Sequence, residues 1–260
     1  MITKILTLIS IISINLFFAQ KEVLDGYPYG QDFYAGGKNE LEKEMVRIVK
    51  EQKLLPCENN EEQYFVQILV NEDSSINYVK DMDSLNINKN KCAFDFSRKI
   101  FPHLKRWIPA KENGKYVSAI TLVQINPFYL YHSKDDPKKN EMKNPTYKKG
   151  MNAFMEESRK IFEQTIRRNE DRKGDLTFTV NEKGEMENII ISGDFSENDK
   201  KNIINSFSRI KGQWNPATFN NIPVKTKLRQ PIVQNFDIQM EVEDEMKQSM
   251  YQNMRNNRYR

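Results

Sequence analysis

The chain carries two histidines in all, His103 and His132. A His-centred metal cluster or a two-histidine acid–base mechanism therefore has little to build on. Its adjacent carboxylates, Asp135-Asp136 and Glu156-Glu157, make poor acid–base couples, because sequence neighbours do not face each other on a helix or a strand. Gly36-Gly37 offers the glycines of a phosphate loop, but no strand precedes it and no Gly-Lys-Ser/Thr follows. The two cysteines are Cys57 and Cys92. An oxidising compartment permits a disulfide between them, with two unpaired thiols as the alternative, and neither spacing nor a nearby histidine supports a metal site. Trp107 and Trp214 suit a ligand platform or, more simply, packing over a sheet. The expectation is a non-enzymatic protein: no catalytic residues, no cofactor and no metal.

The totals narrow the class further. Forty Lys and Arg stand against 36 Asp and Glu, a formal net charge of +4, and the signs are interspersed. A nucleic-acid reader concentrates Lys and Arg on one element, so no nucleic-acid partner is expected. Hydrophobic residues make up 38% of the chain, which implies modest cores under large polar surfaces. At the N-terminus Lys4 precedes an apolar run from Ile5 to Ala19, broken by Thr7, Ser10, Ser13 and Asn15. A run of about 15 residues fits a signal-peptide core and is short for a spanning helix. Residues 1–20 are therefore expected to be a signal peptide and the protein periplasmic. Inner-membrane anchoring is the alternative, with membrane contact only if that segment is retained.

What must position any site is a repeat. Trp107-Ile-Pro-Ala and Val117 recur 107 positions later as Trp214-Asn-Pro-Ala and Val224. Val66, Ile68, Val70 and Asn71 match Leu176, Phe178, Val180 and Asn181 at a spacing of 110. Tyr34, Gly37, Asn39 and Leu41 match Tyr147, Gly150, Asn152 and Phe154 at 113. The spacing steps by three between elements, where loops absorb insertions, and the block order is kept.

Each half reads as helix, strand, strand, helix, strand. Leu41, Met45, Ile48 and Val49 recur at helical spacing, as do Phe154, Met155, Ile161, Phe162 and Ile166. Alternating strands follow at Val66–Val70 and Leu176–Val180, then turns at Asn71 and Asn181 into strands 76–80 and 186–191. The second helix of the second half opens at Ser196-Glu-Asn-Asp199, a capping-box-like start before Ile203, Ile204, Phe207 and Ile210. Its counterpart aligns Phe96, Ile100, Leu104 and Trp107 on one stripe, with His103 on it as a core or helix-end residue. Pro102 predicts a kink or an early end there. Asn113-Gly114 and Asn220-Asn221 predict hairpin turns into the last strands. Residues 132–146 read as a polar linker between halves at 21–131 and 147–238. The tail, 239–260, is charged and carries Met246, Met250 and Met254 at helical spacing.

Asp32-Phe-Tyr-Ala-Gly-Gly-Lys-Asn39 and Lys149-Gly-Met-Asn152 resemble the aromatic-x-x-Gly-Gly-x-Asn opening of TonB C-terminal domains. The Trp-x-Pro-Ala segments with their Val-containing strands are similar to that family's Trp-x-Pro-x-x-x-x-Gly-x-x-Val ending. Asn126-Pro127-Phe128 and Gln230-Pro231-Ile232 resemble its closing stretch. The resemblance spans about 27–131 and 145–238. It implies an α+β fold: two tandem domains, each a three-stranded antiparallel sheet covered by two helices. It also implies a periplasmic adaptor that binds a protein or peptide partner in the cell envelope, such as an outer-membrane transporter, by strand addition at a sheet edge. The residues implied for that edge are Val117, Ala119, Thr121 and Val123 in the first half, and Val224, Thr226 and Leu228 in the second. The Pro-rich spacer of an energy transducer is missing between Gln20 and the first repeat. A membrane-anchored transducer is thus one alternative, and a structural envelope protein whose repeats pair with each other is another.

Overall fold

The computed structural model describes residues 23–165, 173–210 and 213–232, and the backbone of 241–242. The expected signal segment, Ile166 and the Met-containing stretch at 246–254 lie outside the described residues. The fold is mixed α+β, and contacts divide the chain into two compact units that meet between Asn140 and Glu141.

In the first unit, helix α1 (Gly37–Glu51) starts where Gly36 turns left-handed at φ 88°. It buries Leu41, Met45, Val46, Ile48 and Val49. Strand β2 (Tyr64–Val70) buries every second residue, Tyr64, Val66, Ile68 and Val70, as a half-covered strand should. It pairs antiparallel with β3 (Ile76–Tyr78) on one side and with β5 (Lys115–Ile125) on the other. A short α2 (Ser84–Lys89) precedes α3 (Lys91–Ile100), which places Ala93, Phe96 and Ile100 in the core. Strand β4 (Ala110–Glu112) forms a hairpin with β5, and β1 (Val23–Leu24) lies parallel against β5. The sheet order is β1-β5-β2-β3.

Pro102 does end the helix: α3 stops at Ile100, and Phe101–His103 form a single 3-10 turn. A proline ring clashes with the preceding turn and removes an N–H, so the α-helix cannot run on. Leu104 is already extended. Trp107 therefore sits beyond the helix instead of on its stripe, in a bridge with Tyr34. It is buried all the same, stacked on Phe101 and edge-on to Tyr34. His103 closes the 3-10 turn and is exposed, so of the two expected places, core and helix end, it takes the helix end.

The second unit repeats the register. Helix α5 (Met151–Thr165) buries Phe154, Ser158 and Phe162. Strand β8 (Gly174–Val180) pairs with β9 (Met186–Gly193) and β13 (Thr226–Ile232). Val66 faces Val123 in the first unit, and their counterparts Leu176 and Gln230 face each other in the second. The β4–β5 hairpin returns as β11 (Ala217–Phe219) and β12 (Ile222–Val224), while α6 (Glu197–Phe207) takes the place of α3. The Ser196 hydroxyl accepts from the Asp199 N–H, which satisfies one orphan donor of α6. Tyr147 of β7 (Thr146–Tyr147) pairs with Trp214 of β10 (Trp214–Asn215), as Tyr34 does with Trp107.

The closing stretches part company. Asn126 caps α4 (Pro127–His132) by accepting from the Tyr129 N–H, with Pro127 in the first turn. Gln230-Pro231 instead stays within β13. The polar stretch read as a linker contains a 3-10 turn at Pro137–Lys139, and β6 (Met142–Lys143) pairs with β11.

Candidate functional site

The residues implied for a partner-binding edge lie on or next to the last long strand of each unit, β5 and β13. In the first unit the Asn113-Gly114 turn, at φ 50° and 81°, reverses the chain from β4 into β5. Two consecutive positive φ values define the tight hairpin that favours Asn-Gly. Strand β5 is then used in sections. Lys115–Val117 pair with β4, Ser118 and Ala119 with β1, and Ala119–Ile125 with β2. On the side away from β2, no strand among the described residues pairs with Thr121–Ile125.

This arrangement sorts the residues implied for the edge. Val117 and Ala119 are already paired within the chain, through Ala110 and through Leu24 and Val70. Thr121 and Val123 lie on the open section, with 8% and 4% of their surfaces exposed, so their side chains face inward. What that edge presents is main-chain N–H and C=O, as strand addition requires. In the second unit Val224 belongs to β12 and faces Ala217. Thr226 faces Val180, and Leu228 faces Phe178 on one side and Val242 on the other. Strand β14 (Glu241–Val242) is thus laid antiparallel on the outer edge of β13, at Leu228 and Arg229. Those are the counterparts of Thr121 and Leu122, 107 positions on.

Sequence reasoning missed both covering strands, because two residues of β-structure carry no periodicity. It also missed Gln31, whose side-chain amide donates to the Lys111 carbonyl at 2.7 Å and accepts from the Lys111 N–H at 2.8 Å. One side chain thereby satisfies both backbone groups of β4 as a neighbouring strand would.

The remaining candidates have structural partners. Cys57 and Cys92 are bonded to each other across a sequence separation of 35. Glu62 accepts from the N–H groups of Cys92 and Ala93 at 2.9 and 3.2 Å, closing the N-terminus of α3. Cys57, Glu62 and Cys92 offer ligand atoms within 4.8 Å of one another, but both sulfurs are engaged in the disulfide. Asp135 pairs with Lys50 at 2.6 Å, which lowers its carboxyl below the usual range, and Asp136 caps the turn at Pro137. Glu156 pairs with Arg159. Glu157 accepts from the Tyr147 hydroxyl at 2.7 Å and from Lys149 at 3.1 Å. Burial acts to raise its carboxyl, yet those two donors hold it below its ordinary value. Glu44 accepts from Tyr34 in the same way and also pairs with Arg106. Burial pushes both phenols, Tyr34 and Tyr147, above their ordinary range, so they stay neutral donors. His132 is packed on Phe128 and lowered by burial. An open cavity of about 370 Å³ beside Gly36 is lined by Glu40, Glu42, Lys43, Asp136 and Lys138, whose charges largely offset one another.

No family model, curated protein or solved structure matches the chain.

Proposed function

We propose that the protein is a non-enzymatic binding or adaptor module of the cell envelope, taking an extended peptide as an added strand on the outer edge of β5. One observation carries this reading. The corresponding edge of β13 already accepts a strand at Leu228 and Arg229, while Thr121 and Leu122, in the same register, have no such partner among the described residues. A strand edge in the same register with no strand on it offers N–H and C=O groups to an added strand. The resemblance of both units to TonB C-terminal domains supports the same mode and suggests a periplasmic extension of an outer-membrane transporter as partner. The signal-like residues 1–20 support export. No helix among the described residues is long and apolar enough to cross a membrane.

The test is a binding screen of extended peptides from such transporter extensions, read with hydrogen exchange on the full chain. A bound peptide should slow exchange of β5 amides between Thr121 and Ile125 and leave β2 unchanged. Peptides that bind without protecting β5, or no binding by any, would refute the proposal.

A further inference from the structure

The covered half of the β5 edge shows what the open half is waiting for. Residues 23–31 lie across it as a short strap. Val23 and Leu24 pair parallel with Ser118 and Ala119. The Leu24 side chain packs with Tyr27 against Ala110, Val117 and Ala119. The Tyr27 hydroxyl donates to the Ile108 carbonyl at 2.6 Å, and the Gln31 amide closes on Lys111. These contacts are the parts of a peptide-recognition site: main-chain pairing, one apolar side-chain seat, and polar contacts that fix direction. Yet the main-chain pairing lasts only two residues. At Asp25-Gly26 the chain bends off the strand, and no strand among the described residues pairs with the outer edge of β5 from Thr121 to Ile125.

We infer that residues 23–31 are an internal pseudo-ligand: they shut a parallel peptide seat on β5 that an extended partner segment opens by displacing them. This rests on reading β5 as a strand acceptor and adds the partner's chemistry. The segment runs parallel to β5 and places a branched aliphatic residue in the Ala110–Val117–Ala119 seat. It continues along Thr121–Ile125, where the strap leaves the edge. The open stretch gives the incoming strand its first hold, and the two-residue pairing of Val23–Leu24 is what it must replace. A seat closed most of the time lowers apparent affinity by the fraction open, so loosening the strap should tighten binding.

The experiment uses the full chain, a synthetic peptide of residues 21–32, and the same peptide scrambled. The double variant Leu24→Ser, Gln31→Ala should bind the native peptide at least tenfold more tightly than the unaltered chain does, and should ignore the scrambled one. Tyr27→Phe, which deletes a single hydroxyl, should give a smaller gain in the same direction and guards against a double variant that fails to fold. Equal affinity in all three chains, or no binding to either folded variant, would overturn the inference. The probe is the chain's own sequence, so its outcome is separable from whether any transporter peptide binds.

Discussion

Tyr34 and Tyr147 stand 113 positions apart, and each is buried against a tryptophan while its hydroxyl donates to a glutamate one helix face away. Around this shared joint the two units were built to different standards. In the first, Trp107 donates its indole N–H to the Leu104 carbonyl at 3.0 Å, and α1 buries five apolar side chains. In the second, α5 buries Phe154, Ser158 and Phe162. There Ser158 occupies the place of Met45, and Arg159 that of Val46. The cause is local. In the first unit α4 follows β5 and places Leu130 in the core that Val46 joins. In the second unit Pro231 still lies within β13, and Arg159 pairs with Glu156 and Glu163. The first helix of the second unit thus carries a narrower apolar stripe than that of the first.

The largest predicted difference comes from the disulfide, which only the first unit has. Closing a loop of this length removes unfolded-state entropy worth roughly 3–4 kcal/mol. Reduction, or Cys57→Ser with Cys92→Ser, should lower the unfolding free energy of the first unit by that amount, moving its denaturant midpoint down, and leave the second unit's transition in place. Site-resolved hydrogen exchange under increasing denaturant separates the two. If both units shift together, the contrast drawn between them is wrong.

Second in size is the turn from β2 to β3 in the first unit against that from β8 to β9 in the second. Ser74 and Gly184 occupy the same place, at φ 65° and 78°. Ser74 is exposed, whereas a Cβ on Gly184 would come within 2.1 Å of the Trp214 carbonyl oxygen, a backbone atom that cannot swing aside. Gly184→Ser should therefore destabilise the second unit by roughly 1–3 kcal/mol, the scale of a backbone held in an unfavourable region. Ser74→Gly should change the first unit by less than about 1 kcal/mol. Thermal melts of the two single variants decide the matter, and equal effects would show that the turns are equivalent after all.

Much of this was legible in the residues. The repeat, the inward alternation of Val66–Val70 and Leu176–Val180, the Asn113-Gly114 reversal and the stop at Pro102 all follow from period and backbone chemistry, which are local. What escaped the sequence depends on partners distant along the chain. Gln31 is an ordinary surface glutamine until Lys111 comes beside it. Val23-Leu24 is only an aliphatic pair between Glu22 and Asp25 until β5 takes it as a strand partner. Trp107 fits a helical stripe by spacing, and only the chain reversal after Pro102 turns it onto Tyr34. The candidate edge was visible as a strand, but whether it was open was not, because that depends on which other segment lies beside it.

The smallest predicted effect tests the comparison from the opposite direction, by making the second core resemble the first. Gln230 is fully buried in β13 between the inward-facing Leu228 and Ile232, and both its amide nitrogen and its oxygen lack partners among the described residues. Its counterpart is Val123, 4% exposed and apolar. An unpaired buried polar group costs about 1–3 kcal/mol relative to one that is satisfied. A side chain of similar bulk with no polar atoms removes that cost without opening a large cavity. Gln230→Val should therefore stabilise the second unit by about 1 kcal/mol, since part of the gain is returned in repacking a branched residue. Val123→Gln should destabilise the first unit by at least as much, because it introduces the same two unpaired atoms. Urea unfolding of both variants reads the two signs directly. A loss of stability in Gln230→Val would mean that the amide is satisfied in solution and that the two cores differ less than their polar atoms suggest.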